Sequence, residues 1–241
     1  MTTWAIVPVK PLRQSKSRLG SVLGAEERLA LSREMLNRVL EALAGVPEIE
    51  RTLLVSRDSE AMALARQHGA RTLSERSRLA HLSRPSRPRE ASWKDGGPPG
   101  LAARTGCPSG SRRGPPIDLN QALQQATRAA VGSGASAVLV VPADLPLVTA
   151  DDLRQLVELA GTPPVVVLAP DRRQSGTNAM LASPAGLIEY SFGPSSFDRH
   201  RALGIAAGAR VLVCDRPGLA LDLDLPEDLG LFREISGGKA A

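Results

Sequence analysis

Carboxylate side chains occur at two places in the chain where a backbone turn would expose them. Asp144 is flanked by prolines and follows the apolar run 135–141. Asp222 and Asp224, near the C-terminus, alternate with leucines, so both lie on one face if this segment is extended. Two carboxylates together with phosphate oxygens and water form the usual octahedral environment of Mg²⁺. The residues therefore predict a magnesium site built from Asp144 and one of the two later aspartates.

A cationic loop follows the first apolar run of the chain. Residues 8–19 contain no acidic side chain, and their basic residues are Lys10, Arg13, Lys16 and Arg18. A basic loop at the carboxyl end of a strand, leading toward a helix N-terminus, suits a triphosphate. The loop is not a Walker P-loop, because the chain contains no G-x-x-x-x-G-K. A solvated basic loop without a ligand is the alternative interpretation.

A third group consists of glycines and small hydroxylated residues. It comprises Ser175-Gly-Thr-Asn178 and Gly193-Pro-Ser-Ser196. Such residues let backbone amides approach an anion closely, although plain turns have the same composition. His200 lies one helical turn beyond Ser196 and could reach the same anion, whereas a histidine on a helix surface is the commoner case.

Together these groups indicate phosphoryl chemistry without a dedicated general base. No G-x-S-x-G, Cys/His pairing or metal-spaced His cluster occurs in the sequence, so hydrolase and zinc interpretations have no support. A phosphate monoester is already ionised at neutral pH. Nucleotidyl transfer to a phosphorylated acceptor therefore needs only in-line alignment and charge neutralisation by Mg²⁺ and lysine.

The elements that position these groups alternate between strands and helices. Asp58 and Thr149 are predicted helix N-caps, Thr149 with Asp152 as its capping partner, and Pro226 is predicted to begin a helix. This alternation predicts an α/β fold with a mostly parallel, doubly wound sheet. The segment around 177–192 resembles a hairpin and predicts a mixed edge. Predicted strands are 4–7, 52–55, 71–73, 135–141, 163–169, 179–182 and 211–214; predicted helices are 25–43, 58–65, 118–131, 149–159 and one that begins near 192–200.

The net charge of +5 is concentrated in one segment. Residues 77–116 hold seven Arg and one Lys against one Glu and one Asp, a net of +6, so the remainder sums to −1. This Arg/Pro/Gly/Ser-rich stretch has no Val, Ile, Phe or Tyr and is expected to be a disordered insert within one domain spanning 1–241. A basic arm for nucleic acid is the alternative, although interleaved aromatic residues are missing. Residues 236–241 are expected to form a flexible tail.

The remaining composition predicts a cytoplasmic protein. No apolar run approaches the roughly 20 residues that a membrane span needs. The N-terminus shows no secretory signal. Two distant cysteines, Cys107 and Cys214, fit a reducing compartment better than a disulfide framework.

Taken together, the motifs resemble the CofC/FbiD guanylyltransferases, which make the guanylated phospho-acid used to build the deazaflavin coenzyme. The likeness covers nearly all of 4–232 apart from 77–116. Leu225 stands where the family often has Thr. The segments that carry the resemblance are Val7-Pro-Val-Lys-Pro-Leu12, Ser15-Lys-Ser-Arg-Leu19, Leu119-Asn-Gln-Ala-Leu123, Pro142-Ala-Asp-Leu-Pro146, Ala169-Pro-Asp-Arg172, Gly176-Thr-Asn178, Phe192-Gly-Pro-Ser-Ser-Phe197 with His200, and Leu221-Asp-Leu-Asp-Leu-Pro-Glu-Asp-Leu229.

This resemblance implies a single-domain, GT-A-like nucleotidyltransferase fold with helices on both faces of a mostly parallel mixed sheet. It implies GTP as co-substrate, Mg²⁺ as cofactor, and phosphoenolpyruvate or 2-phospho-L-lactate as acceptor. Asp144 with Asp224, or else Asp222, would hold the metal. The resemblance also implies which residues bind each substrate group. The triphosphate would be bound by Lys10, Lys16 and Arg18, and the acceptor by Thr177, Asn178, Gly193, Ser196 and His200. The nucleotide would be bound by Pro8, Val9, Leu119, Asn120, Pro142 and Ala143.

Several alternatives stay open at this point. The protein could instead be a related transferase that uses CTP or a molybdenum-cofactor acceptor, because these motifs do not identify the nucleotide base. A catalytically inactive nucleotide-binding protein and a nucleic-acid-binding protein acting through 77–116 are the alternatives outside the enzymes. Expected partners are small molecules, GTP and a phosphorylated three-carbon acid, without a membrane; a downstream transferase of the same pathway and a second copy of the chain are further candidates.

Overall fold

The computed structural model describes residues 1–75 and 118–237. Short 3₁₀ helices at Leu12–Gln14 and Ser17–Ser21 follow the first strand. The strands are β1 (Thr3–Val9), β2 (Ile49–Ser56), β3 (Arg71–Ser74), β4 (Ala137–Val140), β5 (Val165–Pro170), β6 (Thr177–Ser183) and β7 (Arg210–Val213), and the helices are α1 (Ala25–Ala44), α2 (Ser59–Gln67), α3 (Leu119–Val131), α4 (Ala150–Leu159), α5 (Ser196–Ala206), α6 (Pro217–Ala220) and α7 (Pro226–Gly237).

The seven strands described form one sheet in the order β3-β2-β1-β4-β6-β5-β7. Every neighbouring pair is parallel except the two that involve β6, which runs antiparallel to both β4 and β5. All residues of β4, β5 and β6 are buried. The continuous apolar character of β4 and β5 is that of strands covered on both faces.

Helices cover the sheet on both sides, as predicted. One core cluster joins buried side chains of α1, α2 and α4 to one face of the strands, and a second joins α3 and part of α5 to the other face. With so few aromatic residues, 2% of the chain, leucine, valine and alanine fill both layers. Within the described part of the chain, no helix is both long and apolar enough to span a bilayer.

The connectivity places the polar loops along one border of the sheet, the edge formed by the carboxyl ends of its parallel strands. From β1 the chain winds through β2 and β3 to one side, and it then returns to β4 on the other side of β1. In open α/β sheets, ligands bind at such a reversal, outside the carboxyl ends of the strands. Because β6 is antiparallel, its first residue, Thr177, lies at this same edge.

Local predictions are largely confirmed. Asp58 caps α2 by accepting hydrogen bonds from the amides of Glu60 and Ala61. Thr149 and Asp152 form the predicted capping box of α4.

Three parts of the chain differ from the predicted positions of their elements. β1 continues through Pro8 to Val9, because its pairing with β4 ends at Ile6 and a missing N–H is tolerated where one side is unpaired. β6 lies inside the sheet rather than at its edge, since all its side chains are buried. α7 continues to Gly237, and the rest of the expected tail, 238–241, lies outside the described residues. The predicted insert at 77–116 lies outside the described residues.

Candidate active site

One lysine ammonium joins carboxylates from two distant parts of the chain. Lys16 Nζ lies 3.1 Å from Asp144 Oδ2 and 3.0 Å from Asp224 Oδ1. The Lys16 side chain is only 6% exposed, whereas those of Asp144 and Asp224 are 31% and 46% exposed. The lysine therefore forms the floor of the site and the carboxylates form its more accessible rim.

The backbone explains why these side chains meet. Asp144 lies in the turn directly after β4, and its carbonyl oxygen accepts a hydrogen bond of 3.1 Å from Leu223 N–H. This bond docks the segment that carries Asp222 and Asp224 beside the β4 turn. Lys16 precedes the 3₁₀ helix Ser17–Ser21 in a left-handed conformation, with φ of 56°. That sharp turn directs the chain after β1 back over the edge of the sheet.

The charges of the acidic cluster, which comprises Asp144, Asp222 and Asp224, are incompletely balanced. Burial, together with the negative charges of Asp144 and Asp224, raises the pKa of Asp222 to about 6. Burial would lower the pKa of Lys16, but the two carboxylates outweigh it and hold the pKa above its ordinary value. Lys16 is thus protonated and is shared by Asp144 and Asp224, and the Nη1 of a more distant arginine, Arg18, lies 4.0 Å from Asp224.

Asp228, in the first turn of α7, fixes the backbone that carries Asp224. Its Oδ2 accepts hydrogen bonds from Asp224 N at 3.2 Å and Leu225 N at 2.8 Å. Its Oδ1 accepts one of 2.7 Å from Arg172 Nη2. Burial acts to raise the pKa of Asp228, but these hydrogen bonds outweigh burial and lower it. The loop after β5 is thereby tied to the acidic cluster.

A second set of contacts surrounds the first residue of β6. Thr177 N–H donates to Ser196 Oγ at 2.9 Å, and Thr177 Oγ1 lies 3.0 Å from His200 Nδ1. His200 Nε2 accepts from Ser191 N–H at 2.9 Å. Burial, with the positive charge of Arg199, lowers the pKa of His200 to about 4, so its ring is neutral at neutral pH.

The amino end of α3 is attached to this second set. Asn120 Oδ1 accepts a 2.7 Å hydrogen bond from Phe192 N–H, and Asn120 Nδ2 donates to Phe192 O at 3.2 Å. The amide side chain therefore pairs with the backbone of Phe192 as a neighbouring strand would.

The family model described as "Guanylyl transferase CofC like" matches residues 3–82 and 115–238. The chain belongs to this family. It is 39% identical over 238 residues to the phosphoenolpyruvate guanylyltransferase of Rubrobacter xylanophilus, covering 99% of this chain and 96% of that protein. It is 34% identical to the enzyme of the same name from Sphaerobacter thermophilus, covering 98% of this chain and 94% of the relative.

A solved structure supports the fold of this CofC-like chain. A nucleotidyl transferase from Methanothermobacter thermautotrophicus matches with a TM-score of 0.60 and 14% identity, covering 99% of both chains. At that identity the likeness shows the fold alone. The predicted nucleotidyltransferase architecture is confirmed.

In the CofC-like chain, the predicted site residues fall into groups. Lys16, Asp144 and Asp224 meet directly, while Asp222 lies close enough for the charges of Asp144 and Asp224 to act on its pKa. Thr177, Ser196 and His200 form a separate buried set. Lys10 and Gly193 are exposed at the same edge. Pro8 and Val9 are the last residues of β1, Pro142 and Ala143 follow β4, and Leu119 begins α3.

Three of the predicted site residues have hydrogen-bond partners within the protein. Asn178 is buried and donates to the carbonyl oxygens of Leu219 and Ala220, and weakly to Asp222 at 3.5 Å, so it supports the acidic cluster. The Asn120 amide is occupied by the Phe192 backbone. His200 is completely buried with both ring nitrogens engaged, so it is not a surface histidine.

Sequence reasoning missed the role of Asp228 and Arg172. Asp228 lies in the acidic first turn of a helix, but it also binds an arginine 56 residues away in the sequence. Its position three residues after Leu225, at the start of a helix, resembles half of a capping box, and that signal could have indicated the contact to the backbone.

Proposed function

We propose that this protein transfers GMP from GTP to the phosphate of phosphoenolpyruvate, or of 2-phospho-L-lactate, and releases pyrophosphate. The observation that carries the proposal is the convergence of Lys16, Asp144 and Asp224 at the reversal of strand order between β1 and β4. Membership of the CofC-like family and relatives named phosphoenolpyruvate guanylyltransferase support the donor and the acceptor.

The residues of the acidic cluster fit a magnesium ion. Among the described residues, no three His, Cys, Asp or Glu side chains are grouped as a ready-made metal site. Mg²⁺ keeps several waters, however, and is usually held by one or two carboxylates plus substrate phosphates. Burial is the largest cause of the raised pKa of Asp222, and the negative charges of Asp144 and Asp224 add to it; a divalent ion would offset these charges. Asp144 and Asp224 would hold the ion, and when bound it would neutralise charge on the transferring phosphate.

The basic loop supplies the positive charge for the triphosphate. Lys16 is already at the centre of the acidic cluster, and Lys10 and Arg18 are exposed on either side of it along the loop. Lysine and arginine at this edge would bind phosphate oxygens and stabilise the leaving pyrophosphate. An arrangement of this kind acts by positioning and electrostatics, which suits nucleotidyl transfer.

The acceptor needs no general base, because its phosphate is ionised at neutral pH. Thr177, Gly193 and Ser196 are proposed to bind its carboxylate and phosphate. As part of the same proposal, the product serves deazaflavin coenzyme biosynthesis in the cytoplasm. A downstream transferase of that pathway and a second copy of the chain are the proposed macromolecular partners.

Pyrophosphate release provides the test. Purified protein is given Mg²⁺ with GTP or CTP, and phosphoenolpyruvate or 2-phospho-L-lactate separately. Release is expected only with GTP and one of the two acceptors. Asp144→Asn should abolish it without changing the thermal unfolding transition greatly, and Asp151→Asn is the control because Asp151 is an exposed carboxylate of α4 paired with Arg154. Undiminished turnover in Asp144→Asn would overturn the metal assignment.

A further inference from the structure

His200 is held in a single protonation form by its contacts. The backbone N–H of Ser191 can only donate, and it points at His200 Nε2 at 2.9 Å. Nε2 must therefore be the unprotonated acceptor, and in a neutral imidazole the proton then resides on Nδ1. Nδ1 lies 3.0 Å from Thr177 Oγ1, so the ring donates to this hydroxyl. The ring is completely buried.

This tautomer determines what two hydroxyl groups can offer a ligand. Thr177 Oγ1 accepts from His200, and Ser196 Oγ accepts from Thr177 N–H at 2.9 Å. Each hydroxyl oxygen already accepts one hydrogen bond within the protein, so the hydroxyl proton remains for donation to a ligand. Two such donors at the amino end of α5 suit a ligand that only accepts hydrogen bonds, which is an oxyanion.

The same ring also fixes the segment opposite these hydroxyls. Ser191 N–H is held by His200, and Ser191 O accepts a 2.9 Å hydrogen bond from Arg199 Nη2. The Phe192 ring packs edge-on against the His200 ring with centroids 4.8 Å apart. Because Asn120 pairs with both backbone groups of Phe192, the 191–192 segment is tied on one side to α5 and on the other to α3.

We propose that His200 is a positioning residue for the acceptor. Its Nδ1–H orients the Thr177 hydroxyl, and its Nε2 holds the 191–192 segment, so that the hydroxyl protons of Thr177 and Ser196 face the oxyanion of the substrate. His200 itself does not touch the ligand. The identity of the oxyanion as the phospho-acid acceptor rests on the proposed function, whereas the tautomer does not.

The tautomer of His200 can be determined by spectroscopy, without an activity assay. The chain has three histidines, so ¹⁵N-histidine labelling gives three ring systems, and His200→Asn identifies the signal of residue 200. At neutral pH the ring nitrogen shifts should show Nδ1 protonated and Nε2 unprotonated. A ring protonated on Nε2, or on both nitrogens, overturns the proposal.

Kinetics separate positioning from general structural support. His200→Leu removes both contacts and should raise KM for the acceptor about tenfold or more, while KM for GTP changes less than about twofold. His200→Asn places an amide nitrogen near the Nδ1 position and should recover most of that loss. His68→Asn, at a half-buried histidine bonded to Asn37, is the matched control and should change neither KM.

An unchanged acceptor KM in His200→Leu, or a parallel rise of both KM values, overturns the positioning role. Absence of pyrophosphate release by the wild-type protein is a failure of the proposed function instead. In that case the Nδ1 tautomer still decides whether His200 orients the Thr177 hydroxyl. If His200→Leu does not fold, the ring-nitrogen shifts of the wild-type protein decide the proposal.

Discussion

Lys16 Nζ lies 3.0 Å from the carboxylate of Asp224, although 208 positions separate the two residues in the chain. The loop after the first strand and the segment before the last helix thus meet over the end of β4, where Asp144 completes the contact. Chemistry at this edge depends on long-range docking, which the hydrogen bond from Leu223 N–H to Asp144 O provides.

The first prediction concerns competition between Lys16 and the proposed metal. Lys16→Met leaves Asp144 and Asp224 without their cation and should destabilise the metal-free protein by about 1 to 2 kcal/mol, since both carboxylates are partly exposed. Mg²⁺ should then raise the melting temperature more in Lys16→Met than in the wild type, because the variant has one positive charge fewer at the site. Thermal unfolding with and without millimolar Mg²⁺ measures both effects.

Lys10→Met is the control for this measurement. Lys10 belongs to the same loop but is exposed, so its loss should change neither the stability nor the response to Mg²⁺ appreciably. An equal or smaller Mg²⁺ shift in Lys16→Met than in the wild type would contradict the shared site.

The second prediction concerns Asp228. Its carboxylate is 3% exposed and accepts hydrogen bonds from Arg172, Asp224 N and Leu225 N. Asp228→Ala leaves these donors without a partner and should lower the free energy of unfolding by about 2 to 3 kcal/mol. It should also reduce pyrophosphate release, because Asp224 loses its backbone anchor.

Urea unfolding and the turnover assay check this second prediction together. Glu227→Ala is the matched control, since Glu227 is exposed in the same first turn of α7. If Asp228→Ala unfolded at the urea concentration of Glu227→Ala and kept full turnover, the anchoring role of Asp228 would be wrong.

Much of the fold could be predicted from local pattern, because buried strands are short apolar runs and helix starts have caps that act over three or four residues. Asp58, Thr149 and Pro226 were recognisable for that reason. The position of Asp144 at the carboxyl end of a strand follows from the same pattern. Strand order has no local signal, however, so the antiparallel β6 inside the sheet was not predictable from its composition.

The supporting contacts of the site were beyond prediction for a related reason. The Asn120–Phe192 pair spans 72 positions and the Asn178–Leu219 hydrogen bond spans 41. His200 was harder still, because its helix neighbours Asp198, Arg199 and Arg201 are exposed and give the segment a polar appearance. Burial of the ring is caused by β6 and the 191–192 segment, which pack on one side of α5.

The third prediction is a pH dependence of stability that belongs to His200. Burial, with the charge of Arg199, lowers its pKa from 6.5 to about 4. As pH falls through this window, the unfolded chain takes up a proton that the folded ring does not, so the free energy of unfolding falls. This effect is fully present as stability above pH 6.5, and its loss should lower the free energy of unfolding by about 3 kcal/mol by about pH 4.

Comparison of wild type with His200→Asn isolates this contribution. The pKa of Asp222 is raised to about 6, so Asp222 makes the protein less stable as pH rises from about 4 to 6, the opposite direction. That effect is common to both proteins and cancels in the difference. Urea unfolding at several pH values between 7 and 4 should show a smaller acid loss in His200→Asn; identical pH slopes would contradict the low pKa.

The last prediction uses a glycine that supports the acidic cluster from outside. Gly218 lies in α6, where an added Cβ would be 2.0 Å from Asp152 Oδ2 and 3.0 Å from Leu147 O. Asp152 is buried and cannot move without losing its hydrogen bonds with Thr149 and Arg216. Gly218→Ala should therefore lower the free energy of unfolding by about 2 to 3 kcal/mol.

The displacement in Gly218→Ala should also reach the site. The carbonyl oxygens of Leu219 and Ala220 hold Asn178, which lies beside Asp222. Turnover should fall even at temperatures where the variant remains folded. Gly230→Ala is the matched control, since a Cβ there meets nothing within 4 Å inside α7 and should stabilise the helix by up to about 1 kcal/mol. Equal urea midpoints and equal turnover for the two alanine variants would show that α6 tolerates displacement and does not support the cluster.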